Sequence, residues 1–441
     1  MTPIDPFERH LPSALTDLAA PYAPDYLTDI LGRTAATRQR PAWASLERWL
    51  PMQLATSRVP TTRAPWRQLV VLAVLAALLA MMLAVYVGTR TPHVPAPFGP
   101  AENGRLVYSA DGDIVIRDAL QDAPRVLLGG PTDDHDPGYS PDGTRLLYLS
   151  NEGDDAYLMS ASADGTGGIR ILDDPIVDNA HVVWAPDSKR VAVVNAPRGI
   201  PLLSIVAVDG SGSRPITLTG LRPTDILWRP PDGHELLVRA IKPAEFRADQ
   251  SRYSPIQFYV VDVDGSSPGT VRSVGVDPHD LFGPDWDNSG PEWSLDGNTI
   301  FYNVVDPAPG DPGGRYRIHR VNVDGSDDRV MPAPAAEVNE AWPIRSPDGR
   351  WLLVEHFTWP DQSDPHLTLA VLPADGSGPA HEVGPRVADG KDVDRAWSPD
   401  GTRILARTGE ATMISIDPVS GSYEETGWSS TAFPDWQRRA P

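Results

Sequence analysis

The chain has 441 residues, 59 acidic against 38 basic side chains, a formal net charge of -21 and no cysteine. So acidic a balance argues against a nucleic-acid partner, which requires a basic footprint, and the lack of cysteine excludes disulfides and thiolate metal sites. The length exceeds one ordinary domain and suits two or three segments.

Residues 1–68 read as a proline-punctuated N-terminal segment with short helices at Pro12–Ala19 and Asp25–Thr37. In the second, Tyr26, Leu27, Ile30, Leu31 and Thr34 recur at helical spacing. A third lies within Arg38–Met52, where Trp43, Leu46, Trp49 and Leu50 share one face, bounded by Pro41 and Pro51. Helices this few and short bury no core of their own. Either the segment is a tail, or it docks through Trp43, Leu46, Trp49 and Leu50 on a cytoplasmic partner and folds there.

Leu69–Val87, L-V-V-L-A-V-L-A-A-L-L-A-M-M-L-A-V-Y-V, contains no charge, glycine or proline. As a helix it is long enough to span a hydrocarbon core of ~30 Å, and Trp66 and Tyr86 sit where interfacial aromatics belong. Arg48, Arg58, Arg63 and Arg67 precede it, against Arg90 and Arg105 after it. The positive-inside rule therefore predicts a cell-membrane protein with one span, a cytoplasmic N-terminus and an extracytoplasmic C-terminal region. Residues 88–101 include T-R-T-P-H-V-P-A-P-F-G-P (Thr89–Pro100), a semi-rigid proline-rich linker. Only Lys189, Lys242 and Lys391 are lysines, beside many arginines and alanines, a composition that points to a GC-rich bacterial genome.

Residues 102–441 are repetitive. The phrases are Y-S-P-D-G-T (Tyr139–Thr144), W-A-P-D-S-K (Trp184–Lys189), W-R-P-P-D-G (Trp228–Gly233), W-S-L-D-G-N (Trp293–Asn298), R-S-P-D-G-R (Arg345–Arg350) and W-S-P-D-G-T (Trp397–Thr402). Their aspartates, Asp142, Asp187, Asp232, Asp296, Asp348 and Asp400, are 45, 45, 64, 52 and 52 residues apart, the period of propeller blades. Proline presets φ, aspartate bonds local backbone and glycine accepts positive φ, so each phrase is a turn. Alternating strands rich in branched, aromatic and leucine residues follow, such as T-R-L-L-Y-L-S (Thr144–Ser150) and K-R-V-A-V-V-N (Lys189–Asn195). A second turn closes each unit: Ser162–Gly165, Ala207–Gly210, Asp262–Gly265, Asn322–Gly325, Pro373–Gly376, and a degraded Asp417–Gly421. Each unit is thus four antiparallel strands, one blade.

W-S-P-D-G, an apolar strand and a later x-D-G turn resemble the TolB-like, WD-type β-propeller repeat, and the resemblance covers residues 102–441. It implies a propeller fold, which hosts many functions. Three further strand-like pieces, R-L-V-Y-S, D-I-V-I-R-D and R-V-L-L-G, lie within Gly104–Gly130, and Ala432–Gln437 resembles the first strand of a unit. Together they predict a seventh blade that closes the ring, with six or eight blades as alternatives. The fold class expected is all-β, a seven-bladed propeller behind one transmembrane helix and a helical N-terminal segment.

The sequence offers no catalytic constellation. Its one G-x-S-x-G match, Gly265–Gly269, sits in a repeat turn between expected strands, whereas a nucleophile elbow needs a following helix. The histidines lack zinc-site spacing, and His135 and His181 read as loop residues. Asp262-Val263-Asp264-Gly265 and Asn322-Val323-Asp324-Gly325 resemble the start of a calcium loop without its bidentate glutamate, and read as turn carboxylates. No metal or cofactor is expected. A carboxylate or carboxamide does recur ahead of each repeat aspartate: Asp136, Asp178 with Asn179, Asp225, Asn288, Glu340, and Asp392 with Asp394. These lie where the chain joins each innermost strand, so a ring would gather them at one channel mouth, attractive to cations or a basic partner loop; the alternative is hydrated loop caps.

The expected function is a membrane-anchored, non-catalytic propeller binding a protein, peptide or glycan outside the cytoplasm. The arrangement loosely resembles membrane-bound anti-sigma regulators, which implies a sigma-factor-like partner at residues 1–66. The alternatives are a lyase or lactonase with a metal in the channel, and a structural component of an envelope assembly.

Overall fold

A computed structural model describes residues 70–79, 81, 95–177, 180–197, 199–242, 256–264, 269–274, 290–308, 311–332, 335, 338–358, 366–389, 394–408, 411–430 and 432–440. The chain divides into two units, Met1–Arg90 and Thr91–Pro441. In the first, residues 70–79 are helical, with Leu72 and Leu79 about 70% exposed. Among the described residues no helix is long and apolar enough to cross a membrane. Ten residues rise only about 15 Å, and the rest of Leu69–Val87 apart from Met81 lies outside the described residues, as do Trp43, Leu46, Trp49 and Leu50.

The second unit is a seven-bladed propeller. Among the described residues, all sheets are four-stranded and antiparallel, and there are seven of them. Blade 1 contains β1 (Glu102–Ala110), β2 (Asp113–Arg117) and β3 (Arg125–Leu128), completed by β28 (Asp435–Arg439). Blades 2 to 7 each take four consecutive strands: β4–β7 (Asp134 to Arg170), β8–β11 (His181 to Ile216), β12–β15 (Arg222 to Ser273), β16–β19 (Glu292 to Val330), β20–β23 (Asn339 to Asp389) and β24–β27 (Arg395 to Ser429). The long interval between Asp232 and Asp296 falls between β13 (Glu235–Ile241) and β14 (Ile256–Asp262), and between β15 (Val271–Ser273) and β16 (Glu292–Trp293).

Strand identity follows from packing as much as from propensity. The second strands were expected to alternate. Instead β9 (Arg190–Asn195), β13 and β21 (Trp351–Thr358) are buried almost continuously. Blades stack face to face, so a middle strand has an apolar neighbour on both sides. Each interface between adjacent blades has its own core: Val107, Ile114 and Tyr139 join blades 1 and 2, while Leu353, Trp397 and Ile404 join blades 6 and 7. Burying one such side chain contributes about 1.5–3 kcal/mol. Two of the last strands, β7 (Ile169–Arg170) and β19 (Arg329–Val330), are only two residues long, which limits their pairing with other chains.

The repeated phrase builds two inter-blade devices. In three of the four phrases that carry it, the tryptophan of the first strand donates from Nε1 to the preceding blade, while Trp293 Nε1 is buried without a partner among the described residues. Trp184 reaches Gly138 O at 3.4 Å, Trp228 reaches Val183 O at 3.1 Å, and Trp397 reaches Ile344 O at 3.1 Å. First strand is thereby linked to first strand, around a common axis. The turn that follows is held by serine as well as aspartate. Ser140 Oγ donates to Asp142 Oδ1 at 2.6 Å and accepts from Arg145 N at 2.9 Å, while Asp142 Oδ1 accepts from Thr144 N at 3.0 Å. Ser294, Ser346 and Ser398 repeat this pattern. Successive turns also stack. Gly143 and Gly297 have φ of +69° and +68°, and a Cβ there would lie 2.0 Å from Arg438 O and 2.1 Å from Pro230 O.

The expected closure is present. β28 pairs antiparallel with β1, setting Leu106 opposite Trp436. Asn103 and Asp400 exchange two hydrogen bonds, at 2.8 and 3.1 Å, and Gln437 Nε2 donates to Gly143 O at 2.6 Å.

Candidate functional site

Cross-strand register identifies equivalent positions on the seven first strands. Tyr139, Trp184, Trp228, Trp293, Arg345, Trp397 and Trp436 each face the start of the second strand of their blade. Three residues earlier stand Asp136, His181, Asp225, Gly290, Trp342, Asp394 and Phe433. Some of these residues meet across neighbouring blades. His181 Nδ1 lies 3.4 Å from Asp225 Oδ1, a Cβ on Gly290 would lie 3.2 Å from Asp225 Oδ2, and Arg395 Nη2 donates to Trp342 O at 2.7 Å. His135 and His181 are strand residues, in β4 (Asp134–Tyr139) and β8 (His181–Trp184), not loop residues.

The expected rim residues differ in what they present. Asp136 is the most open, its side chain 73% exposed. It sits at φ +50°, followed by Pro137, where β4 bulges. Its N–H donates to Ser109 Oγ at 3.0 Å, and its Oδ2 lies 3.1 Å from His135 Nδ1. Asp225 is mostly enclosed and accepts from Ile226 N at 2.7 Å. Asp394 is paired with Arg407. Glu340 is buried at 1% exposure and lies two residues ahead of the ring position, which Trp342 occupies. Its Oε1 is 2.9 Å from His356 Nε2. Asp178, Asn179, Asn288 and Asp392 lie outside the described residues.

Beside Asp136 a cleft of about 450 Å³ opens between blades 2 and 3. Its walls are largely apolar, with Leu147, Leu149 and Leu158 on one side and Val182 and Trp184 on the other.

Two partly buried carboxylates on the first strands escaped the sequence reading. Asp435 and Glu292 each immediately precede the ring-facing aromatic, where other blades have Gly138, Val183, Leu227, Ile344 or Ala396. Asp435 Oδ2 accepts from Tyr139 N at 2.6 Å, and Glu292 Oε2 from Arg345 N at 3.3 Å, so each bonds backbone of the next blade. Burial pushes the Asp435 carboxyl up to about 6, against the opposing pull of the Tyr139 and Trp436 backbone N–H groups and of Arg438. Burial raises Glu292 as well, with the Arg345 guanidinium opposing. Burial also raises the Tyr139 phenol, helped by Asp435. The available signal was a charge where the other repeats carry glycine or an apolar residue.

Other candidates have turn roles. Asp264 pairs with Arg190 at 2.5 Å and lies 3.2 Å from His234 Nδ1, and Asp324 Oδ1 accepts from Ser326 Oγ at 2.6 Å. Gly269, the last residue of the G-x-S-x-G match, is followed by strand β15. Among the described residues no three histidine, aspartate or glutamate side chains converge to hold a metal ion.

No family model matches the sequence, and no curated protein is similar to it. Similar solved structures are propeller proteins. An oligogalacturonate lyase in complex with manganese shares 13% identity over 74% of this chain and 85% of its own, with a TM-score of 0.51. A prolyl endopeptidase shares 14% identity over 85% of this chain and 56% of its own, at 0.52. TolB from Acinetobacter baumannii shares 16% identity over 77% and 81%, at 0.43. At such identities the likeness of the lyase and the endopeptidase to this chain is one of fold alone, and fold does not fix function.

Proposed function

We propose that this chain is a membrane-anchored, non-catalytic propeller that binds a protein, peptide or glycan outside the cytoplasm. The observation that carries the binding reading is an exposed carboxylate, Asp136, bordering an apolar cleft between two blades. Apolar walls with a few convergent polar groups are the usual make-up of a ligand site. The anchoring rests on the uncharged stretch Leu69–Val87 and on the arginine excess before it. In this reading residues 1–66 lie in the cytoplasm and dock a sigma-factor-like regulator through Trp43, Leu46, Trp49 and Leu50.

Cross-linking of the full chain in intact cells tests the proposal. Capture of an extracytoplasmic ligand together with a cytoplasmic regulator supports it. Capture of envelope proteins alone favours a structural assembly role. Protease added to spheroplasts should digest residues 102–441; their protection would overturn the orientation.

An enzyme working in the channel is the second reading. It draws on Glu292 and Asp435, two partly buried carboxyls with raised pKa, a feature that clusters at functional sites. Both also bond neighbouring backbone, which gives them a structural role. Stoichiometric metal in the purified full chain, with turnover that Asp435→Asn abolishes, would establish this reading over the first.

A further inference from the structure

We propose that the cleft between blades 2 and 3 is a subsite for one apolar side chain of an extended peptide, flanked by a cationic residue that pairs with Asp136. This rests on the binding reading above and names its ligand class.

The cleft is built rather than a loose seam. Ile176 and Val177, which follow β7, form part of its rim and are fastened to both blades. Ile176 N donates to Ala156 O at 2.8 Å on blade 2. On blade 3, the buried Asn195 donates from Nδ2 to Pro175 O at 2.8 Å and accepts from Val177 N at 3.2 Å. A further turn bond joins Ala180 N to Val177 O at 2.9 Å. Walls held in this way cost little ordering on binding.

Size and lining select the occupant. About 450 Å³ suits one or two side chains. Leu149, Ile176 and Val182 supply no hydrogen bonds from their side chains, and the polar side chains of the lining are His135, Asp136, Tyr148 and the Trp184 indole, few for a glycan, which needs many donors and acceptors. Charge sets the flanking residue. No lysine or arginine lines the cleft, and Asp136 stands at its edge with most of its carboxylate in solvent. Asp133 adds a second carboxylate nearby, its Oδ2 accepting from Asn151 Nδ2 at 2.9 Å, and Asn151 Oδ1 lies 3.2 Å from His135 Nε2. A cation next to the buried apolar group meets this edge, and an anion is repelled.

The test uses the full chain in detergent and three acetylated, amidated pentapeptides: Ala-Arg-Leu-Arg-Ala, the same with glutamate for both arginines, and the same with glycine for leucine. Calorimetry should rank the first tightest, with glycine in place of leucine costing about 10–100-fold. Asp136→Asn keeps a residue tolerant of positive φ. It should weaken the arginine peptide about threefold and flatten its salt dependence. Ala180→Trp should fill the cleft and abolish binding, with melting temperature checked for both variants. Binding of the arginine peptide that survives both substitutions overturns the cleft assignment, as does equal binding of the glutamate peptide or no binding of any of the three. The display reading fails separately, through cross-linking that captures no extracytoplasmic ligand.

Discussion

Asp435 is the residue whose replacement tests most of this reasoning. It sits on the strand that closes the ring and accepts from Tyr139 N in the next blade. Burial lifts its pKa from 3.8 to about 6, so the folded chain binds a proton more tightly than the unfolded chain. Stability therefore falls as pH rises from about 4 to about 6, and is flat above. At ~1.4 kcal/mol per tenfold, keeping the carboxylate charged at neutral pH costs about 3 kcal/mol. Asp435 retains some exposed surface, so this is an upper bound. Asp435→Asn removes the charge and keeps an oxygen that accepts from Tyr139 N. At pH 7.5 the variant should gain up to about 3 kcal/mol in urea unfolding, and melt on the order of 5 °C higher. At pH 4 the two proteins should unfold together. A variant destabilised equally at both pH values would refute the argument, because acceptor geometry, not desolvated charge, would then dominate.

Three further expectations follow from the same structure. Gly297→Ala places a Cβ 2.1 Å from Pro230 O, whereas Gly153, at a similar φ of +69°, has open space around it. Gly153→Ala should cost about 1–2 kcal/mol, and Gly297→Ala at least about 2 kcal/mol more on denaturant titration; equal costs would mean that the turns do not stack. Arg395 pairs with the fully buried Glu355, so Arg395→Met should destabilise by about 3–5 kcal/mol, and adding Glu355→Leu should recover most of it. Hydrogen bonds from Ser294 hold the Asp296 carboxyl below its ordinary range. A lowered pKa gives stability that is present above about pH 4 and lost as pH falls through the folded value. Ser294→Ala should therefore move the acid-unfolding midpoint, read by circular dichroism, to higher pH; an unmoved midpoint counts against that role.

How much was legible in the sequence depends on how local each feature is. The turn phrases depend on residues within six positions, so their chemistry was readable, apart from the serine whose hydroxyl clasps the turn aspartate. The three strands within Gly104–Gly130 and the one after Ala432 were readable too, because each carries its own pattern, and their pairing across the whole chain followed from the need to cover sheet edges. Asp136, Asp225 and Asp394 were found because they hold one position in a repeat.

Glu340 shows the limit. Its spacing placed it at the rim, yet it is buried beside His356, because Trp342 takes the ring position and draws Glu340 into the blade. Strand burial shows the limit again: the pattern suggested one apolar face, and stacking of blades covered both.

Sequence alone determined the all-β repeat, the turn ends and the closing strand, since short-range backbone chemistry and hydrophobic pattern settle these. Only the tertiary structure decided which carboxylates face solvent, which lose it, and where two blades part to leave a cleft. Those outcomes depend on which neighbour a side chain meets across the ring, and residues hundreds of positions apart, such as Tyr139 and Asp435, set them together.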